Sequence, residues 1–197
     1  MPRAGLTRDK IIEAAGKLAD DQGFDSVTMA ALSRLFNVRL PSLYAHLASS
    51  DDLKKGIALL ALHRLAETTE EAIGGRSGKD ALIALVDAHR DFARKHPGLF
   101  QAARYPLDPE SAAGSGGARL AKVNHAMLRG YDLGDEGRVH ATRFIGAFVL
   151  GFSLLDLAGS FDHSSPDVEL SWMRGIDGLD AVIRSWAGPD LIALESN

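Results

Sequence analysis

The stretch FDSVTMAALSRLFNVRLPSLYAHLASSDDL, residues 24–53, decides the fold of this chain. Thr28 can cap a short helix, and Asn37 suits the left-handed turn that ends it. Pro41 then fits the first turn of a second short helix at about 40–46. Two short helices joined by a tight turn are typical of a helix-turn-helix, whose second helix enters a DNA major groove.

Apolar residues at helical spacing extend the prediction along the rest of the chain. No stretch shows β-period alternation of useful length, so we expect an all-α protein of about nine helices. The predicted helices are 7–22, 29–36, 40–46, 50–73, 79–95, 99–104, 118–131, 135–160 and 165–187. Residues 106–117, PLDPESAAGSGG, form the most loop-like stretch. We expect a three-helix DNA-binding domain over 1–53 and a helical ligand-binding and dimerisation domain over 54–197.

Composition limits the class of protein. The 197 residues include no cysteine, which excludes a disulfide framework and a thiolate metal site and fits a reducing cytoplasm. No His, Asp and Glu set has metal-ligand spacing, so neither a metal nor another cofactor is expected. The N-terminus lacks an apolar signal segment. The longest apolar run, 144–155, is shorter than the roughly 20 residues of a membrane span, which predicts a buried core helix in a cytoplasmic protein without membrane contact.

The net charge of −4 is unevenly distributed along the chain. Residues 1–55 hold eight Lys or Arg and seven Asp or Glu, a net charge of +1, and the remainder of the chain carries −5. Nucleic-acid binders usually present a strongly basic surface, so this electrostatic footprint is weak. A dimer would double the basic groups that one duplex meets.

The helix-turn-helix stretch resembles the TetR family of bacterial transcriptional regulators. The matching residues are VT at 27–28, LS at 32–33, FNV at 36–38 and, most specifically, PSLYAHL at 41–47. The resemblance covers about residues 6–62. In addition, HPGLF at 96–100 and GFSLLDLAGSF at 151–161 are similar to the WHG-type C-terminal domain found in part of that family.

The resemblance implies a homodimeric repressor that responds to a small molecule. Each subunit would place one recognition helix in successive major grooves of an inverted-repeat operator. An effector in the C-terminal domain would change the separation of the two helices and release the DNA. The family usually has glycine at Asn37 and a phosphate-contacting lysine at Ser50. The serine keeps a donor but loses the charge, for which Lys54 and Lys55 are expected to compensate.

Eight side chains are expected to contact DNA. They are Thr28, Arg39, Leu40, Ser42, Tyr44, His46, Ser50 and Lys54. Arg39 begins the recognition helix and can reach a guanine edge or a phosphate, the alternative being a solvated turn arginine. Leu40 can contact a thymine methyl group. Tyr44 can donate to a phosphate, pack on the first helix or do both, and Lys54 can contact a phosphate or remain a solvated charge.

Histidines and aromatic residues of the C-terminal part are expected to line a ligand cavity between helices. The candidates are His89, Phe92, Phe100, Tyr105, His125, Phe144 and Phe148. For each aromatic residue the alternative is an ordinary core position, and His89 can equally be a core histidine.

The predicted helix 135–160 is apolar nearly all round, so more than one of its sides must be covered. Packing on the final helix leaves surface for the same pair from a second subunit, which gives a two-fold, four-helix interface. The expected interface residues are Phe152, Leu155, Met173, Ile176 and Val182.

Three classes of function remain. A ligand-gated DNA-binding regulator accounts for the helix-turn-helix and for the apolar helices. An enzyme is not expected, because the chain has no phosphate loop, no GxSxG and no paired carboxylates in a recognisable setting, and Asp156 is only a stray carboxylate. A helical small-molecule-binding protein with lost or weak DNA binding is the alternative that the weak charge and Ser50 favour. Salt-dependent binding to duplex DNA distinguishes the first class from the other two.

Overall fold

The computed structural model describes residues 5–188, and within that range the chain forms helices and no β-strand. The described helices are α1 Arg8–Gln22, α2 Met29–Phe36, α3 Leu40–Tyr44, α4 Ser50–Ile73, α5 Gly78–Lys95, α6 Pro97–Ala102, α7 Pro109–Ala113, α8 Gly116–Leu128, α9 Asp135–Leu157 and α10 Val168–Ser185. Short 3-10 turns follow α1 at Phe24–Ser26 and α8 at Arg129–Tyr131. The all-α prediction is confirmed, and the helix beyond the predicted nine is α7, in the stretch that the sequence favoured as a loop.

Local side-chain contacts fix the ends of the first helices. The Thr28 hydroxyl accepts the backbone N–H of Ala31 at 3.1 Å and so caps α2, as predicted. Asn37 ends α2 with a left-handed backbone at φ 51°. Ser49 accepts the backbone N–H of Asp52 at 3.0 Å and starts α4. Each contact satisfies a helix-end group that would otherwise lack a partner, so the chain itself sets the lengths of these helices.

The helices group into two compact units. Among the described residues, unit 1 contains 5–66 and 95–118, and unit 2 contains 67–94 and 119–188. Unit 1 therefore combines the helix-turn-helix and most of α4 with α6 and α7. This grouping by contacts differs from the predicted division at residue 53, because residues 95–118 return to the first helices.

In unit 1, α6 packs directly on α1. A Cβ atom at Gly98 would lie 2.0 Å from the carbonyl oxygen of Ala19, so the two backbones touch. Asp20 accepts the backbone N–H of Leu99 at 2.9 Å, and its other oxygen lies 2.8 Å from Nδ1 of His96. The fully buried side chains of this unit include Ile11, Leu32, Leu43, Leu53, Ile57 and Leu99. The core of the helix-turn-helix thus includes a residue of α6.

Unit 2 packs α5, α8, α9 and α10 around one hydrophobic core. Its buried members are Ala81, Leu82, Leu85, Val86, Met127, Leu128, Tyr131, Leu133, Ala141, Ile145, Val149, Trp172, Ile176, Leu179 and Ile183. The Phe148 and Trp172 rings stack with centroids 5.2 Å apart. Gly175 makes room for Phe148, because a Cβ at Gly175 would lie 2.4 Å from that ring.

Only one face of α9 is buried. Its buried residues are Ala141, Ile145, Val149 and Ser153, whereas Leu154 and Leu155 are 41% and 48% exposed. Within one subunit α5, α8 and α10 cover a single face of α9, so the prediction of a core helix holds for that face, and the other face is the one expected to meet a second subunit. By length and hydropathy alone α9 is the one helix among residues 5–188 that is able to cross a membrane, a test that core helices of soluble proteins also pass.

A charged cluster ties α5 to α9 and α10. The buried Arg90 donates to Asp156 at 3.1 Å and to Glu169 at 2.7 Å, and Arg94 donates to the same two carboxylates at 3.1 and 2.7 Å. The Arg90 guanidinium also lies 4.8 Å from the centroid of the Trp172 ring. Buried charges are tolerated when they are paired in this way. Hydrogen bonds from Arg94 and then Arg90 hold the pKa of Glu169 below its usual range.

Gly98→Ala is expected to destabilise unit 1. The new Cβ would collide with the Ala19 backbone, which cannot rotate away, so α6 would have to move off α1. We expect the free energy of unfolding to fall by about 2–3 kcal/mol, measured by urea unfolding. Gly137→Ala is the matched control, because its Cβ would meet Leu133 at an ordinary 3.4 Å, and it should be neutral or stabilising. Equal stability of Gly98→Ala and the wild type would contradict the packing of α6 on α1.

Glu169→Gln is expected to flatten the acid dependence of stability. Because the pKa of Glu169 is lowered in the folded protein, its ionised form contributes stability above its ordinary pKa, and this is lost as the pH falls through the folded-state value. Between about pH 6 and pH 3 the wild type should lose more unfolding free energy than the variant, in denaturant titrations at each pH. Glu110→Gln, at a residue without an ion pair within residues 5–188, should follow the wild type. Parallel curves for Glu169→Gln and the wild type would show that the arginine contacts do not stabilise the fold.

Candidate functional site

The predicted recognition helix, α3, is a short exposed helix whose one buried side chain is a leucine. Leu43 is fully buried, and it anchors α3 in the core of unit 1. Arg39 precedes α3 with an extended backbone at φ −75° and ψ 147°. Leu40 and Tyr44, at the two ends of α3, are 38% and 47% exposed. The helix therefore offers its outer side to a partner.

All eight side chains predicted to contact DNA lie in unit 1, and six of them are exposed. The exposed six are Thr28, Arg39, Leu40, Ser42, Tyr44 and Ser50, whereas His46 and Lys54 are half-buried. The exposure of Tyr44 disfavours the alternative in which its ring packs on α1. Leu40 and Tyr44 together leave two large side chains of α3 open to solvent.

Two exposed arginines of the helix-turn-helix are free to meet an anion. Arg34, in the last turn of α2, and Arg39 form no ion pair with any residue in the part of the chain that the structure describes. By contrast, Arg8 donates to both oxygens of Asp52, at 2.8 and 2.6 Å. Arg34 was missed by the sequence reasoning, although its position one turn before Asn37 was the available signal.

The lysines at the start of α4 are engaged within unit 1. The Lys54 ammonium donates to the Phe24 carbonyl and lies 3.9 Å from the centroid of the Phe24 ring. Burial lowers the pKa of Lys54. The Lys55 ammonium lies 3.0 Å from Asp51 and 3.6 Å from Asp108. The two cations that were expected to replace the missing lysine at Ser50 therefore already have partners.

The residues predicted to bind a ligand are divided between the units. Phe100 and Tyr105 belong to unit 1, and His89, Phe92, His125, Phe144 and Phe148 belong to unit 2. Phe92 and Phe100 are only 3% and 6% exposed, and His125 is exposed. His89 Nδ1 lies 2.9 Å from the Leu85 carbonyl oxygen, and burial lowers the pKa of this histidine. These features of His89 agree with the alternative of a neutral core histidine.

Unit 2 contains a cleft of about 580 Å³ between α5 and α10. Its apolar lining is Ile83, Trp172, Met173 and Ile176, and its charged lining includes Arg90, Arg94, Glu169 and Asp177. None of the seven predicted ligand residues lines this cleft. Within residues 5–188 no group of three or more His, Asp or Glu side chains is placed to hold a metal ion.

The outer faces of α9 and α10 carry an open apolar surface. The large apolar side chains of α9, of α10 and of the residue after α10 that are each at least 37% exposed are Val139, Phe144, Leu154, Leu155, Leu157, Leu170, Met173, Val182 and Trp186. Met173 also lines the cleft between α5 and α10. A Cβ at Gly146 or Gly178 would meet no atom within 4 Å. Three predicted interface residues are in this set, but Ile176 is 4% exposed in the core of unit 2. Phe152 packs between Phe161 and Trp172, with ring centroids 5.0 and 4.9 Å away.

Known proteins match the chain over most of its length. A family profile described as "Tetracyclin repressor-like, C-terminal domain" matches residues 82–179. An uncharacterised HTH-type transcriptional regulator of Mycobacterium tuberculosis is 31% identical over 189 residues, which is 94% of this chain and 82% of that protein. A second one, of Bacillus subtilis, is 29% identical over 168 residues, which is 85% of this chain and 88% of that protein.

Solved structures show the same fold. The crystal structure of a variant TetR from Acinetobacter baumannii in complex with minocycline has a TM-score of 0.73 and 20% identity, covering 94% of this chain and 100% of the other. The likeness at this identity concerns the fold alone.

Proposed function

Because the chain belongs to the TetR family of transcriptional regulators, we propose that it is a homodimeric, sequence-specific DNA-binding repressor. A small-molecule effector releases it from an inverted-repeat operator. The observation that carries this proposal is the exposed turn of α3, where Leu40 and Tyr44 are open to solvent and the neighbouring Arg39 has no ion pair within residues 5–188.

The contacts divide into base reading and phosphate binding. Arg39 and Leu40 lie where they can read base edges, through a guanine and a thymine methyl group respectively. On and directly after the recognition helix, hydrogen bonds to bases and phosphates come from Ser42, Tyr44 and His46. Thr28 and Ser50 stand at the N-termini of α2 and α4, where free backbone N–H groups favour an anion. Arg34 adds a phosphate contact. Lys54 contributes less than the sequence predicts, because Phe24 already holds its ammonium.

The second subunit covers the open faces of α9 and α10. Nine large apolar side chains of α9, α10 and the adjoining Trp186 are exposed to solvent, and exposed apolar patches are typical of protein–protein interfaces. Gly146 and Gly178 leave room for a helix to approach closely. A two-fold, four-helix interface buries this surface, and a partner subunit rather than lipid then covers α9. The protein acts in the cytoplasm without enzymatic activity.

The effector binds in the C-terminal domain. This part of the proposal is supported by the fold neighbour from Acinetobacter baumannii, which holds minocycline. Among the predicted contacts in unit 2, His125 and Phe148 keep accessible side chains, Phe92 is buried in the core, and Phe144 lies on the apolar face that the second subunit is proposed to cover. Phe100 lies in unit 1.

Selection of bound duplexes from a random DNA pool, at moderate salt, tests the proposal. Enrichment of an inverted repeat by the purified dimer would support a dimeric sequence reader, and release of that duplex then assays candidate effectors. A folded dimer that enriches no sequence would favour a small-molecule-binding protein with lost DNA binding. The engagement of Lys54 and Lys55 is the observation that favours this alternative.

Arg39→Ala is expected to weaken binding to the selected duplex by about 1–3 kcal/mol and to relax the preference at one base position. The measurement is a titration of duplexes that carry single base changes, followed by fluorescence anisotropy. Arg129→Ala removes an exposed arginine of unit 2 and should bind as the wild type does. An unchanged affinity and base preference in Arg39→Ala would contradict the proposed docking.

Leu155→Glu is expected to produce a folded monomer, because the dimer would have to bury an unpaired carboxylate in an apolar interface. Sedimentation velocity measures the oligomeric state, and circular dichroism checks that the helices remain. Leu35→Glu is the matched control, since Leu35 is 54% exposed on α2, a helix that contributes no residue to the proposed interface. A Leu155→Glu protein that still sediments as a dimer would place the interface elsewhere.

A further inference from the structure

Tyr105 lies between α6 and α7 and contacts the start of α4. Its hydroxyl donates to Oδ1 of Asp51 at 2.8 Å. Its ring meets the Phe24 ring edge-on, with centroids 5.8 Å apart and planes at 73°. Asp51 follows Ser50 directly, so Tyr105 reaches the end of α4 that is proposed to face a DNA phosphate. Neither contact belongs to a ligand cavity, which was the predicted environment of Tyr105.

Each of the two residues that Tyr105 contacts also binds a lysine. The second oxygen of Asp51 lies 3.0 Å from the Lys55 ammonium. Phe24 holds the Lys54 ammonium through its carbonyl oxygen and its ring. Tyr105 therefore touches both groups that fix the two lysines in the first turns of α4.

The segment that carries Tyr105 is itself fixed to the helix-turn-helix. At its start, the Gln101 side chain donates to Asp25 at 3.2 Å. At its end, Asp108 lies 3.6 Å from Lys55 and caps α7 by accepting the backbone N–H of Ser111 at 2.9 Å. Tyr105 is thus held between two anchored points, and its hydroxyl is directed at α4.

Because Asp51 is negatively charged, the position of its carboxylate affects how closely a DNA phosphate can approach α4. Hydrogen bonds from Tyr105 and then Lys55 hold the pKa of Asp51 below its usual range, so the carboxylate is ionised at neutral pH. Its side chain is 56% exposed. A mobile carboxylate next to the first turn of α4 would repel a phosphate and would compete for the helix N–H groups. In this structure both of its oxygens are occupied.

We propose that Tyr105 is a positioning residue for DNA binding. By holding Asp51 on Lys55, it leaves Ser50 and the free N–H groups of α4 open to a phosphate. This inference rests on the proposed function, and it assigns residues 96–108 to the support of the DNA-binding surface.

Tyr105→Phe tests the inference because it removes the hydroxyl and keeps the ring against Phe24. The dissociation constant for the duplex selected by the wild type should rise about fivefold, as expected for a hydrogen bond to a partly exposed carboxylate. The salt dependence should keep its slope, because no direct phosphate contact is lost. In the Asp51→Asn background Tyr105→Phe should have no further effect, since the charge that it positions is gone.

Tyr131→Phe is the matched control. It breaks a second tyrosine–aspartate hydrogen bond of 2.8 Å, to Asp180, which is buried in unit 2. We expect a lower unfolding temperature and an unchanged dissociation constant per folded dimer. Thermal unfolding of Tyr105→Phe, measured alongside, separates a loss of fold from a loss of binding.

Four results would overturn the inference. Tyr105→Phe could bind as tightly as the wild type, could keep its full defect in the Asp51→Asn background, could lower the salt slope by about one unit, or could bind no worse than Tyr131→Phe. If the wild type enriches no duplex, the proposed function fails and the inference falls with it. Equal binding by Tyr105→Phe of a duplex that the wild type does enrich removes the inference alone.

Discussion

The backbone contact between α6 and α1 is the constraint on which unit 1 depends. Gly98 lies against Ala19 with no space for a side chain, and Asp20 accepts the backbone N–H of Leu99 in the first turn of α6. A three-helix helix-turn-helix has a small core, and here Leu99 completes it from outside. With α6 fixed, the chain that follows runs along α4, and Gly116 again touches backbone, with a would-be Cβ 2.1 Å from the Leu62 carbonyl oxygen.

The same unit shows why a net charge near zero is compatible with a DNA-facing surface. Counting charges gives only +1 for residues 1–55, but the pairing of these charges is uneven. Arg8, Lys54 and Lys55 all have partners within the unit, and the carboxylates of Asp51 and Asp52 are held by them or by Tyr105. The guanidinium groups of the helix-turn-helix stay unpaired in the described range. Such unpaired cations are the groups that can neutralise phosphates by direct contact.

Much of this fold could be predicted from short-range signals in the sequence, whereas contacts between residues far apart in the sequence could not. The caps and the left-handed Asn37 act within four residues, so the sequence indicated them correctly. Even α7 had such a signal, because Asp108 caps it and Pro109 occupies its first turn, but a glycine-rich composition outweighed it. The partners of Lys54 and Tyr105 lie 30 and 54 residues away, beyond the reach of any periodic pattern. Apolar spacing on α10 also left open which side faces the core, and Ile176 is on the inner side.

The return of residues 95–118 to the first helices makes unit 1 discontinuous in sequence. A chimera of two regulators is made most simply by cutting each chain once, after its DNA-binding segment. In this protein a single cut after residue 53 would join a foreign α1 to the resident α6. The chimera would then keep Gly98 and Leu99 but lose Asp20, whose carboxylate accepts the Leu99 backbone N–H. Transfer of the DNA-binding unit of this regulator therefore requires two segments, the N-terminal helices and the segment that contains α6 and α7.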